Sequence, residues 1–410
     1  MTTTARGTRL AARGLFLLGP AFVAAIAYVD PGNVAANLTG GARYGYLLVW
    51  VLVVASLMAG LIQYHSAKLG LVSGRTLPEL LGDHLKPTTR RLFWVQAEIV
   101  AAATDLAEVI GGAIALNLLF GLPLFVGGLI VGAVSMGLLG LQSRFGQRSF
   151  ESAIIGLLAI IAIGFLAGLF ITPPDGLAVL GGLVPRFEGT GSVLLSAGML
   201  GATVMPHAIY VHSALARDRH GHVTAPEARR RILRVTRWDV IIALGIAGLV
   251  NVGMLLLAAV NLRGIANTDT IAGAHAAIEA SLGPGVALVF AIGLLASGLA
   301  STSVGSYAGA TIMAGLLKRR IPVFLRRVIT LVPAVVLLAA GIDPTWALIV
   351  SQVFLSFGIP FALVPLLRLT NNPAVMGEQA NRRPARWALS LIIVLVVALN
   401  LALIGLTIWG

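Results

Sequence analysis

The sequence contains no cysteine. That excludes disulfides, thiolate metal sites and cysteine nucleophiles, and it leaves the redox compartment open. Charge is scarce too. Only 11% of the 410 residues are Asp, Glu, Lys or Arg, and 58% are hydrophobic, whereas soluble domains carry about 25% charged residues. No polar stretch is long enough to form a soluble domain of its own. There is no Walker loop, no Gly-x-Ser-x-Gly and no His-Glu-x-x-His, so no enzymatic motif competes for the reading.

Apolar runs fill the chain instead. A membrane-crossing helix needs about 20 such residues. On that measure the sequence holds eleven spans, at about 15–36, 46–67, 93–119, 122–141, 151–171, 192–216, 238–260, 285–317, 328–341, 346–367 and 387–409. The expectation is an all-α polytopic membrane protein, one transmembrane domain over 1–410. The net charge of +13 raises the question of nucleic acid, and its distribution answers it. With the N-terminus in the cytoplasm, 26 of the 29 Lys and Arg fall on inside segments, and only Arg43, Arg186 and Arg263 fall outside. This is the positive-inside bias of a cytoplasmic membrane protein, with the C-terminus outside. Arg6 to Arg13, an apolar run and Ala25-Ile26-Ala27 imitate a cleavable signal peptide. Cleavage there would invert the charge split, so the segment is expected to stay.

Five spans precede the loop at 172–191 and five follow it, with one more at the end. An odd number per half makes the halves run in opposite directions, the arithmetic of an inverted repeat. The first repeat covers about 15–171, the second about 192–367, and the extra helix about 387–409. The first span of each half is interrupted. One carries Asp30-Pro31-Gly32-Asn33 and the other Met205-Pro206-His207. Proline removes a donor and frees the carbonyl four residues before it. Pro31 frees carbonyls around Ile26, Ala27 and Tyr28, and Gly32 is expected to ease the unwinding. Pro206 frees that of Ala202. Such backbone survives at membrane depth only inside protein or along a wet cavity. A carboxylate there adds about 2.5–3.5 kcal/mol on insertion scales. A bound cation relieves both burdens. The alternative is a plain kink with Asp30 protonated.

One carboxylate, one amide oxygen (Asn33), backbone carbonyls and the thioether of Met205 suit a borderline divalent ion such as Mn²⁺ or Fe²⁺ better than Mg²⁺ or Ca²⁺. Gln352, a polar residue in the tenth span, offers a further amide oxygen, or else bonds helix to helix. His207 and His212 titrate near neutral pH when unperturbed. Gating or proton handling is favoured for them over ligation, with simple packing as the alternative. In a continuous helix His212 would share a face with Met205 and His207 would not. Glu98, Asp105 and Glu108 form one stripe on the third span by their spacing of seven and three. Intramembrane acids of this kind mark proton relays. A static salt-bridge network with Arg326 or Arg327 is the other reading. Gly305 to Gly309 fits small-residue packing between helices, and Asn37-Leu38-Thr39 matches a glycosylation sequon.

Together the two broken signatures resemble those of the Nramp family, the proton-coupled divalent metal transporters, and the resemblance extends over nearly the whole chain. It implies a leucine-transporter-like fold with alternating access. It implies a metal site of Asp30, Asn33 and Met205 side chains with the Ala27 and Ala202 carbonyls, joined by Gln352 in some states. It also implies a proton or gating network of Glu98, Asp105, Glu108 and Arg327, with His207 near the metal. The retained Met205 points to a bacterial manganese or iron importer. No cofactor, nucleic acid or obligate protein partner is implied, only metal ions, protons and the bilayer. A sodium-coupled amino-acid symporter, a passive divalent-cation channel and a membrane enzyme are the alternatives. Asp30 would repel a substrate carboxylate, a channel would more often use acids from several subunits, and no nucleophile accompanies the breaks.

Overall fold

The computed structural model describes residues 19–318 and 323–409, without the side chains at 138–148, 323, 324, 327, 407 and 409. Among these residues the regular structure is helical throughout. Eight helices are long and apolar enough to cross a membrane, and shorter apolar helices lie at Pro20–Val29, Leu124–Gly137 and Val328–Ala339.

In chain order the first half contains α1 (Pro20–Ile26), a 3-10 turn (Ala27–Val29), α2 (Pro31–Tyr44), α3 (Val49–Ser73), α4 (Leu77–His84), α5 (Pro87–Phe120) and α6 (Leu124–Leu166). The loop at 172–191 holds the short α7 (Gly176–Gly181). Then come α8 (Gly189–Thr203), α9 (Pro206–His220), α10 (Pro226–Asn261), α11 (Ile271–Leu282), α12 (Pro284–Leu316), α13 (Val323–Ala339), α14 (Pro344–Asn371), α15 (Pro373–Met376) and α16 (Arg383–Trp409). Proline opens many of these helices at their first turn, where its missing N–H would be unpaired anyway.

Two of the expected spans, 122–141 and 151–171, are joined in α6, a run of 43 helical residues. A straight helix would carry Gly127 and Gly164 about 55 Å apart at 1.5 Å per residue. Contacts forbid that. Gly127 lies against Ala113, the neighbouring Gly112 lies against Gly298, and Gly164 lies against Gly293 on the same helix as Gly298. Both ends of α6 therefore sit beside one short stretch of α5 and α12, so the run bends back on itself between them. Glycine at each crossing lets the backbones meet, as is common in membrane helices.

The seven-residue α1 has no cap of its own. Asp239, at the start of the apolar part of α10, supplies one. Its Oδ1 accepts from Gly19 N at 3.1 Å and its Oδ2 from Ala21 N at 3.0 Å. Glu151 of α6 presses against Gly19, whose φ of +147° is a glycine conformation. Arg219 of α9 pairs with Glu151 at 3.6 Å. The sequence reading passed over these acids because both stand at span ends.

The sequon at Asn37 is not a surface feature. Asn37 is fully buried, and its Nδ2 donates to Asn251 Oδ1 at 2.8 Å.

Candidate metal-binding site

The first helix breaks where Pro31 withdraws its donor. Asp30 is the extended residue between the 3-10 turn and α2, with φ −72° and ψ 168°. Its carboxylate caps α2: Oδ1 accepts from Asn33 N at 2.8 Å and from Asn33 Nδ2 at 2.7 Å. The sixth-span helix breaks across Val204 and Met205, which leave helical geometry between α8 and α9. Across the gap, Asn33 Nδ2 also donates to the Ala202 carbonyl at 3.0 Å. One amide nitrogen thus bridges an oxygen from each broken helix.

A third element closes the group. Gln352 of α14 donates from Nε2 to Asp30 Oδ2 at 3.3 Å. It can approach because Gly32 has no side chain: a Cβ there would collide with the Gln352 amide, and one on Gly201 would collide with the Gln352 carbonyl. Gly32 was expected to ease unwinding. It instead lies within the first turn of helical α2, and its role is clearance. Asp30, Asn33, Ala202, Met205 and Gln352 are all fully buried, and Ala27 is 1% exposed. Asn33 Oδ1 and Gln352 Oε1 are buried acceptors with no hydrogen-bond partner. Among the described residues no three His, Asp or Glu side chains gather as a resident metal cage would require, so Asp30 stands with neutral donors.

The histidines separate. The break at Met205 removes the continuous helix on which His212 and Met205 would share a face. His207 Nδ1 lies 3.3 Å from Thr104 Oγ1 on α5, beside Asp105. His212 Nδ1 lies 2.8 Å from Gln63 Oε1, and Gln63 Nε2 donates to the Tyr28 hydroxyl. The two histidines therefore serve different helices. The backbone of Tyr28 is held as well: Asn251 Nδ2 donates to its carbonyl at 2.6 Å. Sequence reasoning missed Gln63, Asn251 and Thr104. The signal for the first two was a lone amide in an apolar span.

The acidic stripe faces α12 and α13. A Cβ on Gly305 would sit 3.0 Å from Glu108 Oε1 and 3.4 Å from Asp105 Oδ1. Gly309, one turn on, is covered by the Arg326 guanidinium. Arg326 Nε pairs with Glu98 Oε1 at 3.0 Å. The Gly305–Gly309 pair was expected to pack helix on helix; it instead makes room for three charged side chains. Of the two candidate arginines, Arg326 makes the pair, and the Arg327 side chain lies outside the described residues.

An all-helical, multi-span membrane protein with two broken helices meeting at a buried carboxylate is the class that fold and site define. Comparisons with known proteins narrow it. The family model described as Nramp, natural resistance-associated macrophage protein-like, matches residues 21–406. The chain belongs to the Nramp family. It is 60% identical over 395 residues to a Mycobacterium tuberculosis protein named divalent metal cation transporter MntH, covering 96% of this chain and 92% of that one. A Deinococcus radiodurans protein of the same name is 47% identical over 401 residues, covering 97% and 91%. The crystal structure of an Eremococcus coleocola manganese transporter, solved with an aromatic bis-isothiourea substituted compound, superposes with a TM-score of 0.82 at 31% identity, covering 96% and 94%. The nucleobase-cation-symport-1 family transporter MHP1 shares the fold alone, with a TM-score of 0.60 at 15% identity over 96% of this chain and 92% of that one.

Proposed function

We propose that this chain imports divalent transition-metal ions, Mn²⁺ and Fe²⁺ among them, together with protons, by alternating access in a bacterial cytoplasmic membrane. The observation that carries the reading is the bridge at Asn33. Its Nδ2 lies within 3.0 Å of both Asp30 Oδ1 and the Ala202 carbonyl, and its own Oδ1 has no partner. A cation entering between those oxygens replaces the amide hydrogens. The Asn33 amide then turns its oxygen inward, and Gln352 offers Oε1 in the same way. The Ala27 carbonyl, left without its i+4 donor by Pro31, completes the oxygen set, and the Met205 thioether adds preference for transition metals. A single carboxylate among neutral donors binds a dication without trapping it, as a carrier requires. The Nramp membership, and the names of relatives that transport manganese or divalent metals, support the same cargo.

In this reading the chain has eleven spans arranged as inverted repeats over about 15–171 and 192–367. The basic inside loops set its orientation, with the C-terminus outside. The protons travel from His207 by way of Thr104 toward Asp105, Glu108 and Glu98, and Arg326 compensates the charge. His212 belongs to the Tyr28–Gln63 group and acts in gating of the first span. An amino-acid symporter fits poorly, because Asp30 sits where a substrate carboxylate would have to lie.

The test is Mn²⁺ uptake into proteoliposomes with internal pH recorded and Mg²⁺ as competitor. Mn²⁺ entry with acidification, little affected by excess Mg²⁺, is expected. Uptake of Mg²⁺ in place of Mn²⁺, or Mn²⁺ entry with no proton movement under any gradient, would refute the reading.

A further inference from the structure

A groove between α3 and α10 takes no part in the metal site. It encloses about 640 Å³, within the ~300–1,000 Å³ range of small-molecule sites. Its walls include Leu61 and Ile241, and no acidic residue lines it. Gly60 and Gly245 hold it open: a Cβ on either would meet nothing within 4 Å. At its lips Leu57 is 72% and Leu249 68% exposed. Both helices are long and apolar enough to cross a membrane, so the groove faces hydrocarbon.

Arg237 lies at one end, beside Tyr64. It is exposed, and no described carboxylate pairs with it. From Val53 to Tyr64 the α3 wall rises about 16 Å at 1.5 Å per residue. One leaflet of the hydrocarbon core is about 15 Å, half of ~30 Å. Arg237 is the last cation of the basic run 217–237 and borders the apolar part of α10, which puts it at the headgroup edge of that span. The neighbouring Trp238, 58% exposed, is an interfacial aromatic at the same level. Dividing the volume of 640 Å³ by ~16 Å gives a cross-section near 40 Å². That is room enough for a hydrocarbon chain.

We propose that this groove binds an anionic phospholipid. One acyl chain lies along Gly60 and Gly245 between α3 and α10, and the phosphate of a net-negative headgroup pairs with the Arg237 guanidinium. The fork of guanidinium donors matches phosphate oxygens two at a time, and an unpaired cation at the headgroup level favours net negative lipid.

The experiment is native mass spectrometry of the purified full-length chain, exchanged into detergent and titrated with dioleoyl phosphatidylglycerol or dioleoyl phosphatidylcholine. One retained phosphatidylglycerol per chain is expected, with phosphatidylcholine about fivefold weaker, because its choline cation cancels the net charge that Arg237 attracts while the phosphate contact is shared. Arg237→Gln should keep lipid binding and lose the preference. Gly245→Leu reaches into open space, so the chain should fold normally, with an unchanged melting temperature, while the retained lipid disappears. The proposal is overturned if Gly245→Leu binds phosphatidylglycerol as the wild type does, or if Arg237→Gln keeps the headgroup preference. It is overturned equally if the groove is occupied by a second copy, seen as a dimer that Gly245→Leu dissociates.

Discussion

The side chain of Gln352 lies across the face of Gly32, and from there its amide reaches Asp30 Oδ2 at 3.3 Å. Two residues 320 positions apart thus hold one geometry between them. The relationship explains why a glycine follows Pro31 although the backbone at 32 is ordinary helix.

Gly32→Ala should therefore push Gln352 aside. Overpacking of this kind destabilises by about 1–3 kcal/mol, and Mn²⁺ uptake should fall with it. Trimming the neighbour, in Gly32→Ala with Gln352→Ala, should recover most of the stability while uptake stays low. Melting temperatures of the two single variants and the double variant check this. Strict additivity of the two effects would mean that the residues do not touch.

Asp30→Ala should reduce Mn²⁺ uptake to the level of empty vesicles, because neutral oxygens alone do not repay the dehydration of a dication. The variant loses the α2 cap, a cost of about 0.5–2 kcal/mol, so its melting temperature is measured alongside uptake. Wild-type-like uptake by a folded Asp30→Ala protein would move the site elsewhere.

Met205→Ala should keep part of the Mn²⁺ transport and admit Ca²⁺ or Mg²⁺, since the soft ligand discriminates more than it binds. Competition curves against Mn²⁺ uptake measure the change. If the ratio of Mn²⁺ to Ca²⁺ transport is unaltered, the thioether has no part in selection.

Asp105→Asn should weaken proton coupling more than metal affinity. Internal acidification per Mn²⁺ should drop while the KM for Mn²⁺ changes little. An intact pH response would shift the proton path away from the α5 stripe.

Outside the membrane, Asp83 of α4 is hydrogen-bonded by Lys318 at 2.8 Å and by Arg75. These partners push its carboxyl down to about 2. A depressed folded-state value gives stability that is present above the ordinary carboxylate range, near 4, and is lost as pH falls toward 2. The pair is exposed, so the effect is small and screened by salt. Asp83→Asn should flatten the melting temperature between about pH 4 and pH 2 relative to wild type, and 1 M salt should remove the difference. A melting curve that keeps its wild-type pH slope would deny Asp83 any share in it.

The breaks at Asp30 and Met205 were legible because a proline and a carboxylate are conspicuous in an apolar run. The span ends, read from apolar runs, were less legible: helices α5 and α10 begin at Pro87 and Pro226, well before the runs at 93 and 238, because a proline starts a helix irrespective of where lipid begins. What was not legible is tertiary. The reach of Gln352 depends on where α14 crosses α2 and α8, and nothing local encodes that crossing. His207 and His212 were assigned faces on a continuous helix, and the break at Met205 turns them toward different partners. Gly305 and Gly309 looked like a packing motif because a small residue makes room equally for a helix and for a side chain. Arg326 decided the matter from a distant segment. Gln63 and Asn251 carried a weaker signal, each being a lone amide in an apolar span, and only the structure reveals that both hold Tyr28.

The trans cap on α1 has one further consequence. Seven residues are too few to sustain a helix unaided, and the N–H groups of Gly19 and Ala21 rest on a carboxylate from another helix. The docked carboxylate is therefore part of what keeps this segment helical. Under the proposed alternating access, opening on that side would resemble a fraying tip more than a stiff paddle, and peptide groups as well as side chains would meet the incoming water. In that reading the entropy released by fraying would offset part of the lost packing and bring the closed and open forms close in free energy without a strained intermediate.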